Sequence, residues 1–126
     1  MSNYVADFYD LPNGKIPVKE FLDSLDVKMR VKMLRTVSLL EEYGTTLRKP
    51  YSEHLRNGIF ELRAKVGTDI SRVLYFFFVG KKAILTNGFI KKTEKTPESE
   101  IEKAEKYRDE YLARKGNLWW LHSRNI

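Results

Sequence analysis

The stretch that decides the fold covers residues 59–90 and reads IFELRAKVGTDISRVLYFFFVGKKAILTNGFI. Its Phe, Tyr, Val and Ile content favours β-strands. Two short connections, at residues 67–69 and at Gly80 and Lys81, divide it into three strands. Tight connections of this kind join neighbouring antiparallel strands. We therefore predict an antiparallel meander with strands at 59–66, 70–79 and 82–90.

The chain before the meander predicts one strand and two helices. Residues 4–9 alternate loosely and predict a strand, which ends in a turn containing Pro12 and Gly14. A short helix is expected at 18–25, and a second one is expected from Asp26, its N-cap, to Tyr43. Gly44 is a suitable residue to end the second helix, and residues 45–57 predict a polar connection.

A last helix is predicted after the meander. Pro97 suits the first position of a helix, with Thr96 as its cap. The order β-α-α-β-β-β-α predicts an α+β domain in which the helices pack on one face of the sheet. We expect a single domain over residues 1–126, with an aromatic tail at 116–126 that includes Trp119 and Trp120.

The positive charge of the chain is concentrated in its middle. The whole chain carries a net charge of +6, whereas residues 44–92 hold ten basic and three acidic residues and are therefore +7. Basic side chains that neutralise phosphates release counterions and gain affinity for a polyanion. The distribution favours a nucleic acid as the partner.

The meander brings several of these charges to one edge of the sheet. Arg63 and Lys65 lie near the end of one strand, Arg72 begins the next, and Lys91 and Lys92 follow the third. Antiparallel pairing places these three positions side by side. Glu61 shares a face with Arg63 and Lys65 because side chains alternate along a strand.

Clustered cations can catalyse RNA cleavage by the 2′-hydroxyl, because they stabilise the charge that develops on the phosphate. We expect Arg63 and Arg72 to act in this way without being needed for the fold. Glu61 is the candidate general base, although a plain surface ion pair is the alternative. Neither a metal nor a cofactor is expected. The full candidate set comprises Arg63, Arg72, Lys92, Lys91 and Glu61 for catalysis, and Lys65, Lys49, His54 and Lys95 for RNA binding.

Four motifs in order resemble the RelE/HigB toxin superfamily, and in particular its phage-derived HigB-like branch. They are residues 59–63 (IFELR), 72–77 (RVLYFF), 88–92 (GFIKK), and Thr96-Pro97 before a helix. The resemblance implies a RelE-like fold and ribosome-dependent cleavage of mRNA. It also implies a cognate antitoxin, often a helix-turn-helix protein of the HigA kind. Matched to the family pattern, the catalytic positions are Arg63, Arg72 and Lys92.

This chain also departs from the family pattern. Glu61 stands where RelE has a second lysine, and no tyrosine occurs in residues 93–101. These departures leave open which group moves the proton. Two other functions also stay open: a ParE-like toxin that inhibits DNA gyrase by protein contact, against which the basic cluster argues, and a non-catalytic phage protein that binds nucleic acid. The chain lacks cysteine and has no long apolar segment. These features predict a cytoplasmic protein that does not associate with a membrane.

Overall fold

The computed structural model describes residues 4–91 and 95–116. In this part of the chain the secondary structure consists of β1 (Val5–Phe8), α1 (Pro17–Ser24), α2 (Val27–Tyr43), β2 (Ser52–Arg56), β3 (Ile59–Val66), β4 (Asp69–Phe78), β5 (Lys82–Lys91) and α3 (Glu98–Tyr111). A 3₁₀ turn at Gly44–Thr46 follows α2, and a π turn at Leu112–Gly116 follows α3. None of the helices in the described ranges has the length and apolar character needed to cross a membrane.

The strands form one sheet in the order β1-β5-β4-β3-β2. The predicted meander is confirmed, since β3, β4 and β5 pair antiparallel in sequence order. At one edge β1 pairs parallel to β5. At the other edge β2 pairs antiparallel to β3. Strand β2 lies within the polar connection predicted at residues 45–57. The sequence did not predict it, because SEHLR does not have the apolar alternation of a strand.

The predicted α+β class is confirmed, but the helices pack on both faces of the sheet. The first core contains residues of α1 and α2 with one face of the strands, including Met33, Leu62 and Val73. The second core contains Ala104 and Tyr111 of α3 with Leu74 and Phe76 of β4. The expectation that all helices lie on one face is therefore wrong for α3. The apolar stripe of α3 is real, and it covers the side of the sheet that carries Glu61 and Arg63.

Local signals fix both ends of α2 as predicted. The Asp26 side chain accepts a hydrogen bond from the Met29 backbone N–H at 2.9 Å, which caps the helix. Gly44 ends the helix with a φ of 54°. A β-carbon at Gly44 would overlap the ring of Tyr4, so both backbone conformation and close packing require glycine there.

Candidate active site

The centre of the candidate site is the carboxylate of Glu61 on β3. Its side chain is only 2% exposed, although it is charged. The Thr96 hydroxyl donates a hydrogen bond of 2.5 Å to Glu61 Oε1. The Nε of Arg63 lies 3.6 Å from Oε2, and the Nε of Arg72 lies 3.9 Å from Oε1. The carboxylate is therefore held between two guanidinium groups and one hydroxyl.

Arg72 is completely buried behind this carboxylate. Its exposed fraction is 0%, and it lies directly across the β3–β4 pair from Arg63. Its Nη1 lies 3.5 Å from Thr96 Oγ1. On its other side it pairs in register with Phe89 of β5. A charge at this depth interacts with Glu61 and Thr96 and not with the solvent, so Arg72 belongs to the structure of the site as well as to its electrostatics.

Burial sets the proton affinity of the central carboxylate. Desolvation raises the pKa of Glu61 above its usual range, while the Thr96 hydrogen bond and the charges of Arg72 and Arg63 oppose that rise. The nearby Glu53 carboxylate, whose backbone pairs in register with that of Glu61, raises the pKa further. A carboxylate with a raised pKa is a stronger proton acceptor, as general base catalysis requires.

A shallow basic cleft lies beside this cluster. It has a volume of about 500 Å³ and is lined by Lys49, Pro50, Glu53, Arg63 and Lys95. Arg63 is the member that joins the cleft to the buried cluster, since its side chain is 19% exposed and also contacts Glu61. A neighbouring depression shares Glu53 and Lys95 and reaches Glu61 and Thr96. We call these two depressions together the Glu61 cleft.

The structure brings most of the predicted site residues together. Glu61, Arg63 and Arg72 are in contact, and Lys49 and Lys95 line the cleft beside them. Two further predicted lysines lie two register positions further along the sheet. There Lys65 of β3 and Lys91 of β5 both pair with Ile70 of β4, and both are exposed. Lys92 lies outside the described residues, as do Trp119 and Trp120.

His54 lies on the other side of the edge strand. It pairs in register with Phe60, and the two rings are in edge contact with centroids 4.9 Å apart. The His54 Nε2 accepts a hydrogen bond from the Gly58 backbone N–H at 3.3 Å. The imidazole therefore packs against Phe60, while His54 also lines the second depression of the Glu61 cleft together with Glu61 and Lys95.

Thr96 has a different role in the site from the one that its sequence pattern predicts. It was predicted as the N-cap of the last helix, but Pro97 occupies that position without a side-chain cap bond. The Thr96 side chain is instead buried and hydrogen-bonded to Glu61. A threonine before a proline and a helix has the same local pattern in either role. Only the position of α3 over β3 distinguishes a cap from a partner of Glu61.

The fold and the site together define a small α+β protein with a buried carboxylate–guanidinium cluster beside a basic cleft. The chain belongs to the family described as "Phage derived protein Gp49-like (DUF891)", whose model matches residues 20–109. This match confirms the phage-derived branch that the motifs resemble. No curated protein matches the chain. Among solved structures it is similar to a chain in the crystal structure of the archaeal RelE–RelB complex from Pyrococcus horikoshii OT3. The identity is 20% and the TM-score is 0.45, over 68% of this chain and 92% of that chain.

Proposed function

We propose that this protein is the toxin of a type II toxin–antitoxin system and acts as a ribosome-dependent mRNA endoribonuclease. The observation that carries the proposal is the buried Glu61 carboxylate, held between Arg63 and Arg72 next to a basic cleft. Membership of the phage-derived family and the order of the four sequence motifs support it. A non-catalytic nucleic-acid-binding surface requires exposed cations, but it does not require a buried carboxylate beside them.

In the proposed reaction, the 2′-oxygen of one nucleotide attacks the adjacent phosphorus. Glu61 accepts the proton of the 2′-hydroxyl as the new O–P bond forms. The bond to the 5′-oxygen breaks, and that oxygen takes a proton from solvent or from a cationic side chain of the cleft. The products are a 2′,3′-cyclic phosphate and a 5′-hydroxyl. Only side chains take part in the proposed step, which needs neither a metal nor a cofactor.

The two arginines have different parts in this reaction. Arg63 is partly exposed and stabilises the extra negative charge on the phosphoryl oxygens directly. Arg72 is buried, so it acts as a positioning residue that holds Glu61 and Thr96 in place. Lys49 and Lys95 bind the phosphates on either side of the scissile bond. Lys65, Lys91 and Lys92 extend the phosphate contacts along the sheet edge. His54 lines the second depression of the Glu61 cleft together with Lys95, and it contacts the RNA there.

A toxin of this kind requires a cognate antitoxin and access to translating ribosomes. We propose a helix-turn-helix, HigA-like partner, and mRNA on the ribosome as the substrate, both in the cytoplasm. The sequence motifs that resemble the HigB-like branch support this assignment.

Expression of the chain without a partner tests the proposed function. Growth should stop within minutes, and primer extension on cellular transcripts should reveal new 5′ ends inside coding regions. The Arg63→Ala chain, expressed to the same level, should give far fewer such ends. Intact transcripts together with relaxed or broken DNA would support gyrase inhibition instead.

A further inference from the structure

An open groove lies on α2, on the face of the sheet opposite α3. It has a volume of about 800 Å³. Residues of α2 form one side of it, and Tyr51 with residues 65–67, at the end of β3, form the other side. Four basic residues line it, namely Lys28, Lys32, Arg35 and Lys65, and no acidic residue is among its described lining residues. The backbone oxygen of Lys65 accepts a hydrogen bond from Lys32 Nζ. We call it the α2 groove. Its charge fits an acidic ligand.

The floor of the α2 groove is apolar. Val31, Leu39, Tyr51 and Val66 line it between the cations. Val31 is 42% exposed and Tyr51 is 44% exposed, although burial of either side chain would be favourable. Leu34, on the next turn of α2, is 43% exposed. The exposed surface of α2 therefore alternates aliphatic and basic side chains.

This combination distinguishes a protein ligand from a nucleic acid. Phosphates need only the cations, and bases need aromatic faces on which to stack. Tyr51 offers one aromatic face, but the aliphatic side chains of Val31 and Leu39 satisfy neither need. They match the apolar side of an amphipathic helix, whose carboxylates would pair with the lysines and the arginine at the rim. The lining of α2 from Lys28 to Leu39 is about 16 Å long at the helical rise, which is about three turns of a bound helix.

We propose that the α2 groove is the docking site for an acidic amphipathic helix of a partner protein. Such a helix would present apolar side chains at i, i+3 or i+4 and i+7, and acidic side chains on both sides of them. The identification of that partner with the antitoxin rests on the proposed function. The groove adjoins a smaller depression that contains Lys32, Tyr51, Lys65 and Arg63. A segment that continues from the helix along this depression would therefore reach Arg63 and cover one end of the Glu61 cleft.

Binding of synthetic peptides to the full chain tests the docking site. The probe is a fluorescent 16-residue peptide with leucines at helical spacing and glutamates on its flanks, and the control is the same composition in scrambled order. The helical peptide should bind at least about tenfold more tightly than the scrambled one, since it alone can place its apolar side chains on the floor. Its association should slow as salt rises.

Charge reversal locates the contact. Lys32→Glu with Arg35→Glu should weaken binding of the peptide by about tenfold or more, because both side chains line the groove and are exposed. Lys106→Glu with Lys103→Glu, on the exposed side of α3, makes the same change in net charge and should leave binding nearly unchanged.

Three results overturn the proposal: equal binding of the helical and scrambled peptides, equal losses in both double variants, or displacement of the peptide by a 16-mer of oligouridylate at equal concentration. The last result would identify RNA as the occupant. Cleavage of ribosome-bound mRNA is measured separately with the wild-type chain. Peptide binding without any cleavage would reject the nuclease and leave the docking site standing.

Discussion

At the scale of single residues, the environment of Glu61 is arranged for proton transfer. Burial raises the pKa of Glu61, and the Thr96 hydroxyl opposes that rise through a hydrogen bond of 2.5 Å. Because the base must be ionised to accept a proton, activity should fall as the pH drops through the raised pKa of Glu61. The acid limb of the pH–rate profile should therefore lie above the range of an ordinary glutamate.

Removal of the Thr96 hydroxyl tests this arrangement. Thr96→Val keeps the shape of the side chain but removes the hydrogen bond, so the pKa of Glu61 should rise further. The acid limb of single-turnover cleavage should move to higher pH, with little change in the rate at the alkaline plateau. Thr96→Ser retains the hydroxyl and should restore the wild-type profile. Identical profiles for the valine and serine variants would show that Thr96 does not act on the base.

Arg72 should matter for stability as well as for activity. Its guanidinium is 0% exposed and faces a carboxylate that is 2% exposed. Loss of one partner of a buried pair leaves the other charge uncompensated, so Arg72→Ala should lower the free energy of unfolding by about 3–5 kcal/mol. Urea unfolding followed by circular dichroism measures this loss. The double variant Arg72→Met with Glu61→Gln should recover part of the lost free energy of unfolding. A wild-type urea midpoint for Arg72→Ala would contradict the buried pair.

At the scale of secondary structure elements, the contact between α1 and β5 depends on a glycine in a strand. A β-carbon added at Gly88 would overlap the ring of Phe21 on α1. Gly88→Ala should therefore push α1 away from the sheet and destabilise the protein by about 1–3 kcal/mol. The thermal unfolding midpoint reports the effect. Phe21→Leu in the same chain should relieve the overlap and restore part of the midpoint, whereas no change in either variant would mean that the two elements are not packed this closely.

The sequence predicted elements whose signals are local and missed those decided by distant partners. The interruptions around Gly67 and Gly80 bounded β3, β4 and β5 to within a residue or so, and Asp26 capped α2 as predicted. Strand β2 has a polar sequence and becomes a strand only because β3 offers an unpaired edge. The amphipathic pattern of α3 shows which of its faces is buried, but not on which side of the sheet it packs.

The same distinction applies to the site. Alternation along β3 placed Glu61 and Arg63 on one face, and antiparallel pairing placed Arg72 opposite Arg63, as the structure shows. The burial of Arg72 and the role of Thr96 depend on how the segment before α3 lies over the sheet. Alternation also assigns His54 to the face of Phe60, but this required the register of a strand that was not predicted.

At the scale of the whole molecule, the two faces of the sheet carry different surfaces. The Glu61 cleft lies on the face covered by α3, and the α2 groove lies on the face covered by α1 and α2. Substrate and partner can therefore bind on separate sides of one small domain. They meet near Arg63, where the depressions on the two faces adjoin.

Salt dependence measures how many phosphates the Glu61 cleft neutralises. A Glu61→Gln chain should bind a short single-stranded RNA without cutting it. On that background, Lys49→Ala and Lys95→Ala should each reduce the slope of log K against log salt by about 0.7, the value for one phosphate contact with a single strand. Lys106→Ala on α3 should leave the slope unchanged. Equal reductions for all three lysines would indicate a diffuse interaction with no defined cleft.

The proposed nuclease reaction is tested most directly by the chemistry of its products. Purified wild-type and Arg63→Ala chains are added to a reconstituted translation reaction with one labelled mRNA, and the new ends are identified. The wild-type chain should release fragments that end in 2′,3′-cyclic phosphate and begin with 5′-hydroxyl. Arg63→Ala should remain folded and cut ~10²–10³-fold more slowly, as for the loss of one donor to a transition-state oxyanion. Intact mRNA with the folded wild-type chain, or equal cutting by both chains, would contradict the assignment.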